Sequence, residues 1–142
     1  MLQYGPIIIV DDDSDDRALY VTIFNDLQVK NPVKLFDSST EAFIYLCSCR
    51  EQPFLILCDI NLPFPDGLEL RRRINDSEYL REKSIPFVFL STSDNKDTVR
   101  EAYALISQGY FVKQPDYQQM LENMRLIYGY WSVSRHPNNS YF

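Results

Sequence analysis

Four groups of polar residues follow directly on short apolar runs. Asp11-Asp12-Asp13 follows Ile7-Ile8-Ile9-Val10, and Asp59 closes Phe54-Leu55-Ile56-Leu57-Cys58. Ser91-Thr92-Ser93 follows Phe87-Val88-Phe89-Leu90, and Lys113 follows Tyr110-Phe111-Val112. Carboxylates brought together repel one another unless a cation offsets them, and an all-oxygen donor set with few protein ligands suits hydrated Mg²⁺. An aspartate beside such an ion can attack a phosphoryl group in line. The metal and a lysine then neutralise the transferred oxygens, and a hydroxyl hydrogen-bonds one of them. Asp59, Lys113 and Ser91 are of the types those three roles require, with Asp11 and Asp12 as further metal ligands.

Each residue also has an ordinary explanation. Acids that open a helix are favourable with its macrodipole, which by itself accounts for Asp13, Asp15 and Asp16. Asp59 could be a turn residue ahead of Asn61-Leu62-Pro63, and Lys113 a solvated strand end. The joint arrangement is harder to reduce in this way, provided that one fold brings the strand ends to a single rim.

The remaining pattern supplies such a fold. Apolar runs alternate with segments of helical period in the order strand, helix, strand, helix, and Val33-Lys34-Leu35-Phe36 brings the strand count to five. Runs that are apolar on both faces suit a parallel sheet covered by helices on each side, so the fold class is α/β. In such a sheet ligands bind outside the carboxyl ends of the strands, where all four polar groups fall.

Helix starts are marked by Ser14 or Asp13, by Ser38 or Ser39 with Glu41 following, and by Asp94 or Asn95. In the first helix Ala18, Leu19, Val21, Ile23, Phe24 and Leu27 form the apolar face. The fifth helix, over 117–128, covers the sheet with Met120, Leu121, Met124, Ile127 and Tyr128. Residues 75–84 read as a surface loop, and an irregular tail is expected after Gly129. Arg71-Arg72-Arg73 reads as a solvated helix face.

A chain of 142 residues, 45% apolar, buries one core, so residues 1–129 form one domain and 130–142 a tail, with no room for a separate output domain. The net charge of −6 argues against direct nucleic-acid binding. Neither a membrane span nor a signal peptide is evident, Met1-Leu2-Gln3-Tyr4 included, so a cytoplasmic location is expected. Cys47, Cys49 and Cys58 with the single His136 lack metal-site spacing and read as reduced thiols.

Ile7-Ile8-Ile9-Val10-Asp11-Asp12-Asp13 resembles the opening of response-regulator receivers. Cys58-Asp59-Ile60-Asn61-Leu62-Pro63-Phe64-Pro65-Asp66-Gly67 resembles their phosphorylation segment. Pro86 to Ser93 and Gly109-Tyr110-Phe111-Val112-Lys113 supply the other two landmarks, so the resemblance covers residues 5–128. It implies a flavodoxin-like fold with strand order 2-1-3-4-5, which the same family is used to illustrate in general accounts of such sheets. By position it implies Asp59 as phospho-acceptor; Asp11, Asp12 and the backbone carbonyl of Asn61 as Mg²⁺ ligands with it; and Lys113 on the phosphoryl group. It further implies Ser91 as switch hydroxyl, Tyr110 as switch aromatic, and Asn61 and Ser93 as residues tuning dephosphorylation. Tyr110 is equally compatible with plain strand packing.

One position departs from the pattern. The family's lysine is normally followed by a proline after a cis bond, whereas Gln114 here precedes Pro115. Either the Lys113-Gln114 bond is trans and the loop differs, or the site stabilises a costly cis bond.

The resemblance implies a two-component phosphorelay: a histidine kinase or phosphotransfer protein as donor, and a downstream protein on the face of the fourth helix, fifth strand and fifth helix. It implies a protein that promotes its own phosphorylation and dephosphorylation but is not an enzyme acting on other substrates. A homodimer could form through the same face or through Tyr130, Trp131, Tyr141 and Phe142. Two other readings remain: a phosphorylation-independent binding module, favoured by Gln114, and an aspartate-nucleophile phosphatase. In the phosphatase reading, position 61 would ordinarily carry an acid instead of Asn61.

Overall fold

The computed structural model describes residues 5–137. Five parallel strands, β1 (Ile7–Val10), β2 (Val33–Phe36), β3 (Leu55–Asp59), β4 (Phe87–Ser91) and β5 (Gly109–Val112), form one sheet in the order β2-β1-β3-β4-β5. The helices are α1 (Ser14–Asp26), α2 (Ser39–Ser48), α3 (Gly67–Asp76), α4 (Glu78–Lys83), α5 (Lys96–Ala104) and α6 (Tyr117–Val133). This is the flavodoxin-like α/β arrangement. The helix expected as fourth is α5, and the one expected as fifth is α6.

The two-residue period of the strands divides the core into two layers. Ile8, Val10, Ile56, Cys58, Phe87 and Phe89 join the layer beneath α2, α3, α4 and α5. Their strand neighbours Ile7, Ile9, Leu55, Leu57, Val88 and Leu90 join the layer beneath α1 and α6. Because both faces are buried, a one-residue slip would exchange the layers, so the register Val10↔Cys58 and Asp59↔Leu90 is strongly specified. That register sets Asp11, Asp59 and Ser91 side by side at the carboxyl rim.

Side-chain caps fix where the helices begin. Asp13 accepts from the N–H groups of Asp15 and Asp16, Ser38 from that of Glu41, and Asn95 from those of Asp97 and Thr98. The face that α1 buries includes Tyr20, with Ile23 and Phe24, whereas Ala18 is exposed.

Three expectations are corrected. Within the segment expected to be a loop, α4 forms because Ser77 caps it through the Leu80 N–H, Leu80 is buried, and Ser84 ends it in the left-handed region. The α6 helix continues through Gly129 to Val133, since Trp131, four residues after the buried Ile127, still packs against the core. Arg71 is not part of a solvated face: it is buried, donates from Nε to the Leu105 carbonyl at 3.1 Å and from Nη2 to that of Ile106 at 2.7 Å, and lies over the Phe87 ring. Burial lowers its guanidinium to about 10. Arg72 and Arg73 do face water, pairing with Glu69.

Two glycines give opposite predictions. A Cβ at Gly67 would lie 2.2 Å from the Asp59 carbonyl oxygen, so α3 can start against the end of β3 only without a side chain there. A Cβ at Gly129 would meet nothing within 4 Å. In urea denaturation, Gly67→Ala should destabilise by about 1–3 kcal/mol through overpacking, and Gly129→Ala should stabilise by about 0.5–1 kcal/mol through helix propensity.

Candidate functional site

Three strand ends share one local device. At the end of β1 the Asp13 N–H donates to Asp11 Oδ1 at 2.9 Å, and at the end of β3 the Asn61 N–H donates to Asp59 Oδ1 at 3.0 Å. At the end of β4 the Ser93 N–H donates to Ser91 Oγ at 3.1 Å. Each side chain is thus held by the backbone two residues ahead, which orients one oxygen and leaves the rest of its polar capacity to the rim.

The free oxygens of Asp11 and Asp59 converge on Lys113. Its Nζ donates to Asp11 Oδ2 at 2.9 Å and to Asp59 Oδ2 at 3.1 Å. The lysine backbone is fixed from β4, where its N–H donates to the Ser91 carbonyl at 2.8 Å. Among the described residues the cis peptide bond is Phe64-Pro65, and the Lys113-Gln114 bond is trans. Lys113 therefore reaches Asp59 without the cis geometry that the resemblance implies.

A third carboxylate reaches the same ammonium. Asp16 Oδ2, from the first turn of α1, lies 2.8 Å from Lys113 Nζ. In the sequence the helix dipole by itself accounts for Asp16. Its spacing carries no other signal, because the contact joins α1 to the residue after β5 and exists only once the sheet has formed.

Burial and pairing set the electrostatics. Asp11 is 1% exposed, and burial raises its carboxyl above the usual 3.8 although the Asp13 N–H and Lys113 oppose this. Burial pulls the Lys113 ammonium down, but its hydrogen bonds to Asp16 and Asp11 and the nearby charge of Asp59 outweigh it, so the net shift is upward.

Asp11, Asp12 and Asp59 each offer a carboxylate oxygen, all within 4.8 Å of one another. Ligands of an octahedral Mg²⁺ at about 2.1 Å stand about 3–4 Å apart, so this hard-oxygen set fits a divalent cation after small adjustments. Asp12 is exposed and makes the pocket accessible from solvent.

The remaining expected residues form a connected strip beside the carboxylates. Asn61 Nδ2 donates to Ser91 Oγ at 3.4 Å, so Ser91 adjoins the Asp59 loop while being fully buried. Half-buried Tyr110 donates from its hydroxyl to the Ser93 carbonyl at 2.6 Å. Ser93 thereby connects the Ser91 turn to β5, and its own Oγ accepts from the Asn95 N–H that opens α5. Tyr110 does more than pack, although its ring also lies 6.4 Å from that of Phe89.

Comparison with known proteins decides the family, because residues 7–125 match the response regulator receiver domain. The chain belongs to that family. It is 30% identical over 129 residues, covering 88% of this chain and 82% of the relative, to the probable methanogenesis regulatory protein FilR2 of Methanothrix harundinacea. Its fold is similar to that of the phosphorylated cyanobacterial phytochrome response regulator RcpA, with a TM-score of 0.83, 30% identity, and coverage of 94% of this chain and 98% of that one. It is similar also to the Mn²⁺-bound form of response regulator Rcp1, with a TM-score of 0.81, 26% identity, and coverage of 93% and 98%. The protein is thus a receiver domain of two-component signalling, a family of signalling modules that work with histidine kinases or phosphotransfer proteins. Among its described residues no helix is long and apolar enough to cross a membrane.

The raised Asp11 carboxyl has a consequence for stability. A carboxyl whose folded value lies above its unfolded one contributes stability that is complete below the unfolded value and lost as pH rises through the folded value. Metal-free Asp11→Asn should therefore be more stable than wild type to urea at neutral pH. The gap should close as pH falls to about 4, the ordinary aspartate value, and saturating Mg²⁺ should narrow it at neutral pH by stabilising the wild type alone.

Proposed function

We propose that this receiver takes a phosphoryl group from a phosphohistidine onto Asp59 and signals by the resulting change of shape. The observation that carries the reading is the convergence of Asp11, Asp59 and Lys113 at one rim, with Asp12 completing a cation-sized set of oxygens. Asp59 Oδ2 is the nucleophilic oxygen. Lys113 holds it in place before transfer and neutralises charge on the incoming phosphoryl oxygens during it.

Asp11, Asp12, Asp59 and the Asn61 backbone carbonyl would hold Mg²⁺, which when bound supplies charge neutralisation to the phosphoryl oxygens. Ser91 would meet a phosphoryl oxygen by turning its hydroxyl from the Ser93 turn towards the site. Because the Tyr110 hydroxyl is held by the Ser93 carbonyl, that movement would be felt in β5 and at the start of α5. Asn61 and Ser93 flank Asp59 and Ser91 and are assigned to tuning the lifetime of the phosphoryl group.

A downstream protein would read the face made by α5, β5 and α6, on which Tyr103, Leu126 and Tyr130 are exposed. The same face, with Tyr130 and Trp131, is the proposed route to a homodimer; Tyr141 and Phe142 lie outside the described residues. The message is assigned to this face of the receiver domain, which includes α6 through Val133 and does not stop at residue 129. A cytoplasmic location accords with the free thiols of Cys47, Cys49 and Cys58. The protein would promote its own phosphorylation and dephosphorylation without acting as an enzyme on other substrates. The reach of Lys113 supports phospho-acceptance over a binding-only module, and Asn61 in place of an acid disfavours a phosphatase.

Phosphoramidate with Mg²⁺, followed on phosphate-affinity gels, tests the reading. Wild type should acquire an acid-stable, base-labile phosphoryl group, Asp59→Ala should acquire none, and Lys113→Ala should react about a hundredfold more slowly. Wild-type labelling retained in Asp59→Ala would refute the assignment. Beryllofluoride with Mg²⁺ should shift backbone NMR signals at Ser91, Ser93 and Tyr110 in wild type and leave those of Asp59→Ala unchanged.

A further inference from the structure

We propose that Asp16 is a positioning residue for Lys113, keeping its ammonium at the rim when a divalent cation engages Asp11 and Asp59. The proposal rests on the phospho-accepting reading and concerns the same site. Three carboxylates share the ammonium, and Asp16 makes the shortest of the three contacts, at 2.8 Å against 2.9 Å and 3.1 Å. The other two belong to the set that would hold the cation, and Asp16 does not. A cation drawing on the Asp11 and Asp59 oxygens weakens their hold on the lysine through competition and charge repulsion. Asp16 is then the carboxylate that remains to it.

The first turn of α1 carries two acids that the helix dipole favours equally, but they are not placed equally. Asp15 is exposed, whereas the Asp16 side chain is 32% exposed and points across the rim to a lysine whose own side chain is only 12% exposed. The Asp13 cap fixes this geometry, since Asp13 Oδ1 accepts from the Asp16 N–H at 3.2 Å and so aims the turn. Lys113 also needs a restraint. It is followed by Gln114 across a trans bond, and its long flexible stem would otherwise be free to leave a site whose other members gain a cation. A carboxylate from α1 supplies that restraint from outside the β5 loop. It also stays available as counter-charge when the ammonium turns part of its hydrogen-bonding capacity to a phosphoryl oxygen, because an ammonium has three donors.

The test compares wild type, Asp16→Asn and Asp16→Glu, all with the Asp13 cap intact, in saturating Mg²⁺. Lys113 accessibility is read by reductive methylation and peptide mass spectrometry, and Mg²⁺ affinity by NMR titration. Asp16→Asn should raise Lys113 methylation about fivefold, the size expected for loss of one partly exposed ion pair, and slow phosphorylation of Asp59 by a similar factor. Mg²⁺ affinity should change by no more than about threefold, because the lost charge lies outside the ligand set. Asp16→Glu should restore both methylation protection and rate. Equal methylation of Lys113 in wild type and Asp16→Asn would overturn the proposal, and so would a loss of Mg²⁺ affinity by tenfold or more, about 1.4 kcal/mol, which would make Asp16 a metal ligand. If wild type itself takes no phosphoryl group on Asp59, the phospho-accepting reading fails, while the methylation comparison still decides the role of Asp16.

Discussion

The Lys113 ammonium stands among three carboxylates from three elements: Asp11 behind β1, Asp16 on α1 and Asp59 on β3. Without a positive charge there the rim would not hold together, since buried like charges are costly and Asp11 is almost wholly removed from water. With it, the site is a balance between one fixed cation and an excess of negative charge. That excess is what gives a divalent ion a reason to bind, and what makes the fold less stable than a neutral rim would.

The rest of the architecture keeps this arrangement in register. Alternating side chains divide the core into two layers, so the strands cannot slide without exchanging faces. Gly67 lets α3 begin against the carbonyl of Asp59, which braces the acceptor from behind. Further down α3, buried Arg71 binds the carbonyls of Leu105 and Ile106 just beyond α5. The helix that follows the Asp59 loop is thereby tied, from its middle, to the far end of the helix that follows the Ser91 turn.

Much of this was legible in the residues. Apolar runs on both faces announced a covered parallel sheet, and a sheet of that kind places its strand ends on one rim, so Asp11, Asp59, Ser91 and Lys113 could be grouped before any geometry was known. What escaped depended on tertiary contacts. Nothing in the run Asp13 to Asp16 separates Asp15 from Asp16, because the difference is which of them meets a lysine 97 residues away. Arg71 is chemically like Arg72 and Arg73, and what draws it inward is tertiary: the carbonyls of Leu105 and Ile106 beyond α5 and the ring of Phe87. The helix α4 was hidden because its single buried anchor, Leu80, is too little to make a periodic pattern. At Gly129 turn chemistry suggested an ending, but Trp131 still had a core to pack on, and packing outweighed propensity.

The three turns that carry Asp11, Asp59 and Ser91 each complete their own hydrogen bond within two residues. Each is a self-contained unit, and the sheet has only to set the units side by side at the strand spacing of about 4.8 Å. Distance between the reactive groups is therefore inherited from the backbone ladder instead of from side-chain packing. A chain built this way can replace most of its interior and helix surfaces and still carry the same site. That is the sense in which a protein sharing about three residues in ten with this one can keep its overall shape. The working part is portable because its precision is local.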